Sequence, residues 1–263
     1  MTVFIKRRGV PAPGSIPAAL DMFRAEVRFY REIAPVVGVR VPACYRADAT
    51  AEGTVLELED LSAWSPGADP VELAALLAGL HRRWENVASQ RWPWLRPAGA
   101  AADLVGTLYD RVWSDLSGAD PLAGLDLPPR VRSLGDSLVG RVEAVERTAA
   151  SAGPWTLVHG DASTLNVRTS ASGELALLDW EDVSTAPGVT DLAWLLVSSV
   201  EPPRWDEVIG AYRDAGGHSA ALSDVLPAAA AQGILSLADA SAGSAEAAAW
   251  VARLTAAAGL YPM

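Results

Sequence analysis

The chain has 263 residues, half of them hydrophobic, enough to bury a core as one large domain or two small ones. Its 32 acidic residues against 21 basic ones give a net charge of −11, which disfavours nucleic acid and anionic lipid, because binding a polyanion needs a basic face that releases counterions. One cysteine, Cys44, with no CxxC or Cys/His cluster, excludes an internal disulfide framework, argues against zinc and reads as an inert buried thiol.

The first residues, "MTVFIKRRGVPAPG", hold too short an apolar run for a signal peptide, and charges interrupt the Ala-rich C-terminal segments, so a soluble cytoplasmic protein is expected. "TVFIK" reads as a short strand and "RRGVPAPGSIP" as a Pro/Gly-rich loop. From Ala18 to Ala34 apolar residues recur at helical spacing, and the helix carries Glu26. "VRVPACYRADATAEGTVLELEDL" alternates like a hairpin with Gly53 in its turn. After "SPGADP" the pattern becomes helical, first in "VELAALLAGLHRRWENV", which contains His81 as a packing residue, then in two segments set apart by stretches near 90–103 and 117–129. Two short apolar runs, "TLVHGD" and "ELALLDW", flank the turn-like "TSASGE" and are expected to form a strand pair inside this helical background. "VTDLAWLLVSS", "WDEVIGAYRDAG", residues 220–241 and "AEAAAWVARLTAAAG" supply the remaining helices.

Chemistry concentrates in residues 155–183. The carboxylate of Asp161 and the amide oxygen of Asn166, five residues apart on a loop between strands, can converge on one site, the first accepting a proton from a hydroxyl and the second offering a hard oxygen to a metal. Asp179, at the end of the next strand, would add an anionic ligand. Two such oxygens with waters suit Mg²⁺, which completes its shell with nucleotide phosphates. "HGDASTLN" keeps the Asp-to-Asn interval of the protein-kinase catalytic loop, and "LLDWED" stands where its D-F-G would.

With "HGDASTLN", "LLDWED" and "TDLAWLL" in this order, the sequence resembles the aminoglycoside phosphotransferase family, the small-molecule branch of the kinase-like fold that includes choline-kinase-like enzymes. The resemblance implies an α+β, two-lobed kinase-like fold: a small, truncated β-rich N-lobe with hinge over 1–61, and a large, mainly helical C-lobe over 62–263. It implies ATP or GTP with Mg²⁺ as cofactors. Asp161 would be the catalytic base and Asn166 and Asp179 the metal ligands, while His159 braces the loop and Asp191 anchors its backbone. Lys6 in "VFIK" and Glu26 in "FRAEVRFY" match the strand lysine and helix glutamate with which kinases hold nucleotide phosphates. Of 21 basic residues only Lys6 is a lysine, and its compact ammonium reaches phosphate in a way arginine's planar fork does not. Backbone groups near Glu57, Leu58 and Glu59 would meet adenine.

Only five residues precede Lys6, where kinase folds place two strands and a glycine-rich loop. A longer reading frame, a mechanism without that cover, and a kinase-shaped partner protein with weak or no catalysis are the alternatives. The acceptor would be a hydroxyl on a small molecule or a peptide Ser/Thr, with a cationic one favoured by the acidic surface. Its recognition is expected from residues 90–150 and 200–260, where Asp206, Asp239 and Glu246 also read as solvated helix faces.

Overall fold

The computed structural model describes residues 2–117 and 127–260, so most of the 117–129 stretch lies outside the described residues. Strand β1 (Val3–Gly9) is followed by short helix α1 (Ile16–Ala19), helix α2 (Met22–Arg28), and the hairpin of β2 (Cys44–Ala49) and β3 (Gly53–Glu59). These strands form an antiparallel sheet in the order β1-β3-β2. β1 extends past the expected strand because Arg7, Arg8 and Gly9 stay in register with Val55, Thr54 and Gly53. An edge strand tolerates such charged residues, since water solvates its outer face.

The helix expected over 18–34 is broken. Asp21 adopts the left-handed conformation (φ 47°) between α1 and α2, one that Asp tolerates better than most residues, and α2 runs into a π-helical turn over Phe29–Ile33. The wider turn buries Phe29, Tyr30 and Ile33 together.

The second region contains β4 (Ser65–Pro66), α3 (Pro70–Trp84), α4 (Ala88–Arg91), β5 (Arg96–Pro97), α5 (Ala102–Ser117), α6 (Pro129–Leu138) and α7 (Val142–Ala150). Asp69 caps α3 by accepting the Val71 N–H, with Pro70 in the first turn, where its missing donor costs nothing. Next come β6 (Trp155–Val158), β7 (Val167–Thr169), β8 (Leu175–Leu177) and β9 (Ser184–Pro187), then helices α8 (Val189–Ser199), α9 (Trp205–Asp214), α10 (Leu222–Asp239) and α11 (Ala245–Leu260). Among the described residues no helix is long and apolar enough to cross a membrane.

The strand pairing differs from the expectation. β6 pairs with β9, not with the run that ends at Asp179; that run is β8, and its partner is β7, closed by the "TSASGE" turn. Residues 159–166 are thereby left as a loop between two small sheets. Val167 pairs with Leu177, and the Leu178 N–H donates to the Asn166 carbonyl at 2.8 Å, so Asn166 and Asp179 stand at adjacent ends of one hairpin.

Candidate active site

The site is assembled from the loop after β6, the end of β8, strand β1 and helix α2. His159 and Gly160 donate their backbone N–H groups to the two carboxylate oxygens of Asp191, at 2.8 and 3.0 Å, from the first turn of α8. Asp191 also meets Nε2 of His81 at 3.0 Å, and the other ring nitrogen of His81 meets the Tyr212 hydroxyl at 2.8 Å. Burial would raise the Asp191 carboxyl, but the His81 hydrogen bond and charge and the His159 N–H outweigh it and hold its pKa below the ordinary value. The His159 ring lies between Leu178 and Asp161: Nε2 is 2.8 Å from the Leu178 carbonyl, and Nδ1 accepts the Asp161 N–H at 3.3 Å. The loop is thus fixed from both sides.

Gly160 is held at φ +87°, and a β-carbon there would lie 2.2 Å from the Asp182 carbonyl oxygen. Only glycine fits this turn. Beyond it, one carboxylate oxygen of Asp161 accepts from the indole N–H of Trp194 at 2.7 Å and the other from the side-chain N–H of Asn166 at 2.8 Å. Asn166 spends its amide nitrogen on Asp161, which leaves its amide oxygen as the group able to ligate a metal.

Lys6 reaches across from the small sheet. Its ammonium is 2.8 Å from Glu26, 2.6 Å from Asp179 and 3.2 Å from Glu181. Burial opposes its charge, yet Glu26 and Asp179 together raise the Lys6 pKa, so it stays protonated. Glu26 is almost fully buried, and burial pushes its carboxyl up to about 7 against the pull of Lys6. Asp179 itself sits in the left-handed region (φ 57°), a backbone strain that turns its carboxylate out of the strand. The ligand oxygens of Glu26, Asp179 and Glu181 all lie within 4.8 Å of one another. Three carboxylates around one lysine leave an excess of negative charge, and hard oxygens in this number fit Mg²⁺.

Asp161 and Glu181 line a common cavity of about 330 Å³. Among the described residues Arg96 is the one basic residue of its lining; Glu146, Asp182 and Asp191 are further acids. Arg96 donates to Asp182 and to the Leu20 carbonyl, both at 2.6 Å, tying the cavity wall to the end of α1. Burial pushes Asp182 up to about 6 despite Arg96.

Lys6, Glu26, His159, Asp161, Asn166, Asp179 and Asp191 therefore gather here, with the expected adenine segment on the neighbouring strand. Glu57 and Leu58 lie inside the central strand, paired with neighbours on both sides, and the Glu59 carboxylate is engaged by Arg40. Backbone that leaves the sheet begins after Glu59. Cys44 is half-buried, not buried, with its thiol pKa raised by what burial it has. Sequence reasoning missed Glu181, Trp194, Arg96 and Glu146. Glu181 and Trp194 sit within "LLDWED" and "TDLAWLL", so proximity to the motif residues was the available signal. Neither Arg96 nor Glu146 has a local one.

A three-stranded sheet that presents a lysine–glutamate pair to an Asp-bearing loop of a helical body defines a kinase-like phosphotransferase, one that acts on hydroxyl acceptors. The chain belongs to the phosphotransferase enzyme family (APH), whose profile matches residues 11–230. A search of curated proteins finds no match. Among solved structures, LicA in complex with AMP is 17% identical over 98% of this chain and 84% of its own, with a TM-score of 0.60. A microcompartment-associated aminopropanol kinase is 18% identical over 97% and 83%, with a TM-score of 0.57. An aminoglycoside phosphotransferase from Alicyclobacillus acidocaldarius is 17% identical over 98% and 83%, with a TM-score of 0.53. At such identities the likeness is one of fold.

Proposed function

We propose that this chain transfers the γ-phosphoryl group of ATP, with magnesium, to a hydroxyl of a small cationic molecule. The observation that carries the proposal is the shared cavity: the Asp161 carboxylate, pinned by Trp194 and Asn166, faces the same space as Glu181 of the Lys6 cluster. In this reading Asp161 orients the acceptor hydroxyl and takes its proton, while Lys6, steadied by Glu26, holds nucleotide phosphates. The Asn166 amide oxygen and Asp179 would hold the ion, with Glu181 as a further oxygen within reach. Magnesium, when bound, neutralises charge on the transferring phosphoryl oxygens.

The cavity supports a small acceptor with a positive charge. At about 330 Å³ it lies at the low end of ligand pockets, and its lining carries more acids than bases. Glu146 is the acid placed to meet that charge, since its carboxyl is raised by burial and has the neutral Gln232 as its hydrogen-bond partner. Glu146 falls within the region expected to recognise the acceptor, whereas Asp206, Asp239 and Glu246 do not line the cavity.

The test is calorimetric titration with ATP, with and without magnesium, on the parent chain and on Asp179→Asn, followed by a mass-spectrometric screen of amino alcohols, amino sugars and Ser/Thr peptides for an added phosphate. Magnesium-dependent binding that Asp179→Asn abolishes supports the proposal. Nucleotide binding indifferent to both would instead favour a kinase-shaped partner protein.

A further inference from the structure

Lys6 and Arg8 are two residues apart on β1, so strand alternation puts both side chains on one face. The structure brings them to a single atom. Oε2 of Glu181 is 3.2 Å from the Lys6 ammonium and 3.3 Å from Nη2 of Arg8. The Arg8 guanidinium is also oriented from α2, where it lies over the Phe23 ring at 5.3 Å from its centroid. Three elements therefore fix this one side chain, and 42% of it is still open to solvent.

An ion pair this exposed adds little to stability. Its geometry is informative instead, because two cations converging on one carboxylate oxygen outline a place for an anionic oxygen, and Glu181 fills it from within the chain. β1 is also the edge of its sheet among the described residues, so no described strand pairs with its outer side. On that edge the strand offers a guanidinium, whose fork of N–H donors matches phosphate oxygens two at a time.

We infer that Arg8 is a second phosphate-binding residue: with Lys6 it forms a two-cation clamp for the polyphosphate of a nucleoside di- or triphosphate, whose oxygens take over the position now held by Glu181. The inference rests on the reading of Lys6 as the nucleotide-holding lysine. Arg8 does not touch the acceptor hydroxyl, and its contribution is to affinity for the polyphosphate.

The experiment is calorimetry of the full chain with adenosine, AMP, ADP and ATP in the presence of magnesium, for the parent, Arg8→Gln, Arg8→Lys and Lys6→Ala. Arg8→Gln should weaken ADP and ATP by about tenfold, the loss of one charge-assisted contact, and leave adenosine within about twofold. Arg8→Lys, which keeps a point charge but not the fork, should fall between parent and Arg8→Gln. A merely structural role would weaken adenosine as much as ATP, and that result overturns the inference. So does an ATP affinity in Arg8→Gln equal to the parent's. If Lys6→Ala weakens ATP while Arg8→Gln does not, the Arg8 inference alone falls; if the parent chain binds no nucleotide, both it and the wider reading fall.

Discussion

Replacing Asp191 by Asn removes one charge and turns one hydrogen-bond acceptor into a donor, at a site 1% exposed. Three donors converge on this carboxylate: the His159 and Gly160 N–H groups and the His81 ring nitrogen. An amide can keep its oxygen toward His159 and His81 or toward Gly160, and in either orientation its own N–H groups face a buried N–H. The smallest loss is one hydrogen bond to a charged acceptor plus the penalty of a buried unpaired donor, together about 3–5 kcal/mol. For a chain of 263 residues that corresponds to a fall in Tm of about 5–9 °C. Because the folded carboxyl lies below its ordinary value of 3.8, its stabilisation is fully present above pH 3.8 and is lost as pH falls through the folded value. The gap between parent and Asp191→Asn should therefore be present at pH 7 and shrink in acid below 3.8. Thermal melts across this range measure it. A variant melting within about 2 °C of the parent at pH 7 would refute the view that this carboxylate organises the loop.

Gly160→Ala forces a left-handed alanine against the Asp182 carbonyl, and should lower stability in urea by about 2 kcal/mol or more, and lower turnover with it. Trp194→Phe removes the N–H donor to Asp161 and keeps most of the ring; kcat should drop about tenfold with the Kd for magnesium–ADP unchanged, as steady-state rates and calorimetry would show. Glu146→Gln should cut the preference for a cationic acceptor over its neutral hydroxyl analogue about tenfold, read as a ratio of kcat/KM values on whichever amino alcohol or amino sugar the screen returns, without altering the KM for ATP.

The sequence revealed the chemistry of the site more fully than its architecture. Asp161, Asn166 and Asp179 carry a spacing that a loop between short strands turns into proximity, and Lys6 was conspicuous as the one lysine of an arginine-rich chain. Which strand pairs with which was not legible, because "TLVHGD" has no local mark that selects β9 over β8; the choice depends on how the intervening loop and turn divide the residues. The break in the helix over 18–34 was hidden for a similar reason. Apolar spacing registers which residues are buried, and the π-helical turn at Phe29 buries its residues without an interruption in that pattern. Arg96 and Asp182 meet across 86 residues of chain, and Glu146 meets the cavity from a helix whose one other acid, Glu143, faces water, so no short-range spacing could have singled them out.

The π-helical turn has a mechanical consequence. It carries Phe29 flat onto Trp180, ring centroids 4.1 Å apart and planes within 9°, one residue beyond Asp179 and three beyond Glu26. Both rings are fully enclosed, so swinging this helix outward would wet two large aromatic faces as well as strip Glu26 from Lys6. A kinase that is silenced by rotating its glutamate helix needs a loose hinge at that point. Here that point is riveted by the Phe29–Trp180 stack, which holds Glu26 beside Lys6.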